Sequence, residues 1–362
     1  MSNIRVQNLT KRFGDLTAVS GVDLEIKAGE VLCLLGPSGC GKTTTLRMIA
    51  GLEQVSDGDV YIADEKMNGK TPSQRDVAMV FQFYALYPTL TVAENMAFPL
   101  RAEKKSEAEI NSRVQEVARA LALTEVMERL PDQLGEGEKQ RVAVARAVVR
   151  DPNCFLFDEP LSRLDVTLRQ TMRGEIKEIL NGLSKATVIV THDQLEALTM
   201  ADRIAVMRDG YIEQVATPHD IFTRPANLFV AGFIGTPSMN LLEATLTKFQ
   251  DGKASIDLDS QKILIDVDKA VEGIDAGSQV TLGIRPRAFQ VVDAAGEDTI
   301  SATVDLIEPM GAETLLHMMD GETEMRVVVG REMKVHTGET LHLQCKPSQA
   351  LIFDGNGQLV LT

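Results

Sequence analysis

The chain is predicted to be an α/β domain followed by an all-β module, and three observations predict it. Up to about residue 235, strand-like apolar runs alternate with helix-like segments, the pattern of a sheet layered with helices. One of those runs, VLCLL, leads through a glycine-rich turn into a helix-like stretch. After about residue 236 the helix-like segments cease, and KILIDV, QVTLGI, TVDLIE, ETLLHM and MRVVV follow one another between Gly, Asp and Asn turns. The expected domains are therefore 1–235 and 236–362.

Composition bounds the function. The 362 residues include 44 % hydrophobic and 25 % charged residues, ordinary for a chain with a sizeable core. The formal charge of −15 argues against non-specific nucleic-acid binding, which needs a basic footprint, and against direct adhesion to anionic lipid. The acidity is uneven, with 10 Lys and Arg against 20 Asp and Glu in residues 236–362. A well-solvated surface accounts for that excess. No apolar run is long enough to span a bilayer, and MSNIRVQNLTKRFG does not read as a signal peptide, so a cytoplasmic chain that reaches a membrane only through partners is expected. Cys33, Cys40, Cys154 and Cys345 lack paired metal spacing and read as reduced thiols.

In order along the α/β part, the run VLCLL reads as a buried strand, and GPSGCGKT after it fits the P-loop pattern in full. Gly36, Gly39 and Gly41 let the backbone of residues 36–44, Pro37 included, curl around phosphate, so that N–H groups from Ser38, Cys40 and Thr44 as well as the glycines converge on phosphate oxygens. Lys42 supplies a point charge for the β- and γ-phosphates, and Thr43 offers a hydroxyl to Mg²⁺. The helix that follows turns its N-terminus toward the same phosphates. Gln82 ends a second strand-like run. In NCFLFDEP, Phe155, Leu156 and Phe157 suit a buried parallel strand; Asp158 at its end suits Mg²⁺, partly through water, and Glu159 suits polarising an attacking water. LSRLD, 161–165, follows directly. TVIVTHDQLEA, 187–197, is another strand running into a helix, with His192 at the junction, where α/β sheets bind ligands. A lone histidine or a carboxylate at a strand end is ordinarily structural; the order of all these pieces behind a P-loop gives them weight.

That order resembles the ATP-binding subunit of ABC transporters from residue 3 to about 235. The resemblance implies that Phe13 stacks on adenine, that Glu159 is the catalytic base or water polariser, and that His192 senses the γ-phosphate. It further implies that Gln82 links the Mg²⁺ and water site to a helical subdomain at about 88–150, and that Asp165 signals across a dimer interface. ABC ATPases of chromosome maintenance need long insertions or CxxC pairs, and translation-associated ones carry two cassettes; this chain has neither. GFIGTPSMNLLEA, VTLGIRPRAF, VDLIEPMGAETLL and ALIFDGNGQLV resemble the OB-like regulatory domain of carbohydrate-importer ATPases of the maltose and glycerol-3-phosphate type. In that group FYALYPTLTVAENMAFPL forms a groove for a membrane subunit, which here would be lined by Tyr84, Leu86, Tyr87 and Phe98. The partners implied are two membrane-spanning permease subunits, an extracytoplasmic solute-binding protein and a second ATPase subunit, with this chain on the cytoplasmic face of the membrane. The solute implied is a sugar, polyol or glycerol phosphate. An importer ATPase for a polyamine or inorganic ion, and a low-turnover regulatory subunit, stay open as alternatives.

One segment departs from the family. The turn that normally reads LSGGQ, and closes over ATP on the other protomer, reads Leu134, Gly135, Glu136, Gly137, Glu138 here. Gly135 lacks the serine hydroxyl, and a carboxylate about 4 Å from one phosphate charge costs on the order of 4 kcal/mol at an effective dielectric of 20. If Glu138 opens the following helix, its charge suits the helix dipole instead. A damaged turn beside an intact catalytic set makes a heterodimer with a different ATPase chain the expected arrangement.

Overall fold

A computed structural model describes residues 3–182, 184–250, 253–258, 261–266, 275–346 and 349–361. The chain divides into two compact units, Met1–Pro218 and His219–Thr362.

The first unit is built on a six-stranded sheet in the order Tyr211–Ala216, Arg203–Arg208, Val31–Leu35, Ala186–Thr191, Cys154–Asp158, Val77–Val80. Of its five pairings four are parallel, and the edge hairpin 203–216 is antiparallel. Both faces are covered, which is why the strands Val31–Leu35 and Cys154–Asp158 are buried at every position. The pleat divides their side chains by period two. Leu32, Leu34, Leu156 and Val188 pack with the helix Lys42–Ala50 and with an antiparallel sheet, ordered Leu16–Ile26, Ile4–Phe13, Asp57–Ile62, Glu65–Lys66. Phe155, Phe157 and Ile189 face the other way, into a core shared with the helices Val92–Ala102, Glu107–Ala120, Glu136–Val148 and Val166–Asn181.

The helical segments start where local chemistry says they should. Thr91 and Glu94 form a reciprocal capping box, as do Ser106 and Glu109. The fully buried Asn95 carries the approach to Val92–Ala102: its amide nitrogen donates to the carbonyls of Tyr87, Leu90 and Thr91, and its oxygen accepts from Tyr87 N. The glycine-rich turn leads into Lys42–Ala50, and Gly51 closes that helix at φ 77°.

The second unit is antiparallel throughout its described pairings. One sheet runs Lys262–Asp266, Lys253–Asp257, Asn240–Gln250, Ser278–Ile284, Ala350–Phe353, Leu359–Leu361, and the other Phe289–Val292, Thr340–Cys345, Thr299–Pro309, Glu313–Asp320, Thr323–Gly330. All five short segments expected to be strands lie in these sheets; Val267, the last residue of KILIDV, lies outside the described residues. Leu242, Leu282, Ile284, Ile300, Leu316 and Val327 join the two sheets in one core. The helix Leu228–Phe233 packs on the strand Asn240–Gln250 within this unit.

A single buried arginine anchors the C-terminal end of Lys42–Ala50. Arg75 is 2 % exposed, and its guanidinium donates to the carbonyls of Met48 (2.7 Å), Ile49 (2.8 Å) and Lys70 (3.0 Å). A cation at this end also matches the helix dipole. Replacing Arg75 with Met leaves these carbonyls without that donor and should cost about 3 kcal/mol of stability, since stranded buried groups each cost about 1–3 kcal/mol. Urea unfolding of Arg75→Met against the parent chain measures this; an unchanged midpoint would refute the anchoring role.

Candidate nucleotide-binding site

The parallel register sets the site. Leu35 pairs with Thr191 and Asp158 with Val190, while Val80 pairs with Phe157. The chain therefore leaves the sheet along one carboxyl edge at Gly36, His192, Glu159 and, two residues past Val80, Gln82, which is where open α/β sheets hold ligands.

The turn 36–41 fits only glycine at its tightest points. A Cβ on Gly36 would stand 2.2 Å from Met207 O, and one on Gly41, at φ 103°, 2.5 Å from Ala18 O. Gly39 also has a positive φ, 81°. Pro37, Ser38 and Gly39 are exposed at the rim, Cys40 is buried beneath it, and Thr44 is half-buried in the first helical turn. The Lys42 ammonium folds back to donate to Gly36 O and Pro37 O, both at 2.8 Å, so the cation rests within the loop. Thr43 Oγ1 donates to Asp158 Oδ1 at 3.0 Å. A hydroxyl and a carboxylate converging in this way are hard oxygen ligands of the kind Mg²⁺ takes. Burial pushes the Asp158 carboxyl above its usual range, with Thr43 opposing that shift, and a bound cation would favour the ionised form.

Glu159 is the hub of the next group. Its Oε2 accepts from Gln82 Nε2 at 3.0 Å, and its Oε1 lies 3.3 Å from His192 Nδ1. It reaches both because its backbone is left-handed, φ 47°, held there by a bond from Glu159 N to Val190 O at 2.9 Å. For a non-glycine residue this conformation costs of order 1–3 kcal/mol and is found where geometry is over-determined. Three residues expected from sequence alone thus meet around one carboxylate. Phe13 stands at the end of its strand, 47 % exposed, with the Lys11 ammonium 4.7 Å from the ring centre. Asp165 is exposed and caps Val166–Asn181, accepting from Leu168 N at 3.0 Å.

The turn 134–138 takes its partners from its own chain. Leu134 is buried. Gly135, the N-cap of Glu136–Val148, donates its N–H to Glu138 Oε2 at 2.8 Å, so Glu138 is spent on the helix terminus. Gly137 sits on the helix Val166–Asn181, where a Cβ would come within 2.9 Å of Leu168. Glu136 accepts from the Tyr84 phenol at 2.8 Å and pairs with Lys139 at 2.8 Å. Lys139 and then Tyr84 hold the Glu136 carboxyl below its usual range, while burial and that carboxylate push the Tyr84 phenol up. Glu138 thus takes the helix-opening place that was one of the two readings of its sequence, and Glu136 is bonded to Tyr84 and Lys139.

The groove residues separate as well. Tyr87 and Phe98, 4.5 Å apart between ring centres, line a groove with Phe81, Met79 and Arg146. Tyr84 and Leu86 instead turn toward the helical core. Further residues at the site were not singled out from sequence. Ser162 Oγ accepts from Gln82 at 3.4 Å and donates to Glu159 O at 3.0 Å, and its place inside LSRLD was the available signal. Buried Glu196 accepts from Thr191 Oγ1 at 2.7 Å, and no local pattern marks that pair.

The fold and this edge of the sheet define a P-loop nucleotide-binding unit joined to a β module, and comparison with known proteins narrows it. Residues 19–162 match the ABC transporter family model, 235–289 the MalK OB fold domain, and 282–353 the TOBE domain. The trehalose/maltose import ATP-binding protein MalK of Thermococcus litoralis is 45 % identical over 98 % of this chain and 98 % of its own length. The alpha-glucoside transport ATP-binding protein AglK of Rhizobium meliloti is 42 % identical over 99 % of each. The sn-glycerol-3-phosphate import ATP-binding protein UgpC 1 of Rhizobium johnstonii is 43 % identical over 94 % and 91 %. A solved dimeric ATP-binding cassette in a post-hydrolysis state, bound to ADP and Pi, is 33 % identical and superposes with a TM-score of 0.53 over 59 % of this chain and 98 % of that one. The chain belongs to the ATP-binding subunits of ABC transporters. It is an ATPase of that class, and its β module contains the OB fold. Among the described residues no helix is long and apolar enough to cross a membrane.

Gly41 tests the loop. Gly41→Ala adds a methyl against Ala18 O at a left-handed position and should weaken nucleotide binding about tenfold or more, from strain of order 1–3 kcal/mol. Titration with a fluorescent ATP analogue measures it, and an unaltered dissociation constant would remove the loop from the site.

Proposed function

We propose that this chain drives import of a sugar, polyol or glycerol phosphate by hydrolysing ATP beneath two permease subunits, with an extracytoplasmic solute-binding protein delivering the solute. The relatives' names support the solute class, and the groove of Tyr87 and Phe98 supports docking on a membrane subunit at the cytoplasmic face. Residues 1–235, with a helical subdomain at about 88–150, serve as the ATPase domain, and 236–362 as the regulatory domain. The observation that carries the reading is the single carboxylate of Glu159 held between Gln82 and His192 at one end of a complete P-loop.

In this reading Phe13 stacks on adenine, backbone N–H groups of 36–44 cradle the phosphates, and Lys42 turns from its loop carbonyls to the β- and γ-phosphates. Thr43 and Asp158 hold Mg²⁺, with Gln82 nearby and water between some of them; when bound, the ion supplies charge neutralisation for the triphosphate. Glu159 orients and polarises the attacking water, His192 meets the γ-phosphate, and Asp165 faces the second ATPase subunit. Pairing with a different ATPase chain remains a proposal that rests on the missing hydroxyl at Gly135. The charges of Glu136 and Glu138 add to it, less than two free carboxylates would, because both are engaged locally.

Glu159→Gln keeps the size of the side chain and removes its basicity. It should retain ATP binding while lowering turnover about a hundredfold or more. Parallel binding and phosphate-release assays decide this, and near-normal hydrolysis would strip Glu159 of its role. Native mass spectrometry of the purified transporter tests the pairing. Two different ATPase chains are expected, and two copies of this chain would overturn asymmetric pairing alone.

A further inference from the structure

The glutamate that departs from the family pattern at 136 touches a residue only two positions beyond Gln82. Gln82 Nε2 donates to Glu159 Oε2 at 3.0 Å, and the Tyr84 phenol donates to Glu136 Oε2 at 2.8 Å. The segment between them is gripped a second time by the same helix. Arg146, ten residues after Glu136 on Glu136–Val148, donates to Tyr84 O at 3.1 Å and to Ala85 O at 2.6 Å. Ala85 is left-handed there, φ 51°, so these carbonyls are held in a backbone conformation that a free non-glycine residue seldom adopts. Arg163, just past Glu159, stacks over Phe83 at 3.9 Å. A helix is stiff over this length, so the two contacts from Glu136 and Arg146 fix residues 84–85 relative to the whole turn 134–138.

A glycine at 136 has no side chain to reach Tyr84. The substitution therefore adds a connection as well as removing a flexible residue. We infer that Glu136 is a positioning residue: through Tyr84 it ties the turn that faces the opposite nucleotide to the segment carrying Gln82, so that the two move as one body. This rests on the functional reading above, in which Gln82 and the turn 134–138 both serve ATP turnover. Loss of the tie acts on presentation of the turn, hence on kcat, and leaves the P-loop's own hold on ATP intact. The Lys139 pair and the acid's place at a helix N-terminus are alternative reasons for a glutamate here. Neither of them involves the Tyr84 phenol.

The experiment is steady-state ATP turnover of the purified transporter with Glu136→Gly, Tyr84→Phe, both together, and Glu136→Gln. Each of the first two should lower kcat about fivefold with KM for ATP changed less than about twofold. The double variant should be no slower than either single one, because both remove the same bond. Glu136→Gln keeps an acceptor for the phenol and should retain most activity. An unchanged or faster Glu136→Gly, a silent Tyr84→Phe, or losses that multiply would overturn the tie. Amide hydrogen exchange of the full chain with Mg·ATP gives a readout independent of turnover. ATP should protect 82–87 and 134–140 together in the parent chain, and only 82–87 in Tyr84→Phe; joint protection in both proteins overturns the proposal. A parent transporter without ATPase activity, or an active Glu159→Gln, overturns the functional reading instead, and the exchange result then decides the tie by itself.

Discussion

Arg75 donates into the carbonyl end of the helix Lys42–Ala50, and the nucleotide site depends on where that helix stands. The helix carries Lys42 and Thr43 in its first turn and presents its free N–H groups to whatever occupies the loop. A buried cation at the far end fixes the helix along its axis and complements the dipole there, and the first turn carries no acidic residue that would compete with an anion at the N-terminus. The loop is held just as tightly from the side, by Ala18 O and Met207 O against Gly41 and Gly36. Position comes from the scaffold, which leaves the loop's polar groups for the ligand.

The carboxyl edge of the sheet shows the same division. Parallel pairing brings Gly36, His192 and Glu159 out of the sheet side by side. One strained residue then converts that neighbourhood into contact. The left-handed backbone at Glu159 swings its carboxylate to where Gln82 and His192 both reach it. Strain at one residue is tolerable because Val190 O and the buried strand Cys154–Asp158 hold its backbone on both sides.

Much of this was legible in the sequence because the signals are local. VLCLL followed by GPSGCGKT specifies strand, turn and helix within one short stretch, and the buried runs ending at Asp158 and Thr191 announce parallel strands. The five short tail strands were legible for the same reason. What sequence could not deliver was the direction of side chains in irregular chain. Tyr84 and Tyr87 both look like groove residues, yet only Tyr87 lies in the groove, while Tyr84 packs against the helical core and Ala85 between them has a positive φ. The bearing of Glu136 and Glu138 on a phosphate was illegible for a related reason. Coulomb's law needs a distance, and the partners that set it, Tyr84 for one and Gly135 N for the other, are fixed only by the fold. Arg75 was invisible because its acceptors are backbone carbonyls, which every sequence has.

The order of strands in the parallel sheet has a consequence for how the protein is made. Val31–Leu35, which leads into the P-loop, lies between Ala186–Thr191 and Arg203–Arg208, while Cys154–Asp158 lies on the far side of Ala186–Thr191. A chain still emerging from the ribosome with only its first 150 residues has the P-loop sequence and neither sheet neighbour of its strand. Contacts of such long sequence separation form late. Until Ala186–Thr191 is synthesised, the apolar run 31–35 has no parallel partner, and its exposed edge is open to wrong pairing. The sheet edge that frames the P-loop is thus complete only after Arg203–Arg208 is made, more than halfway along the chain.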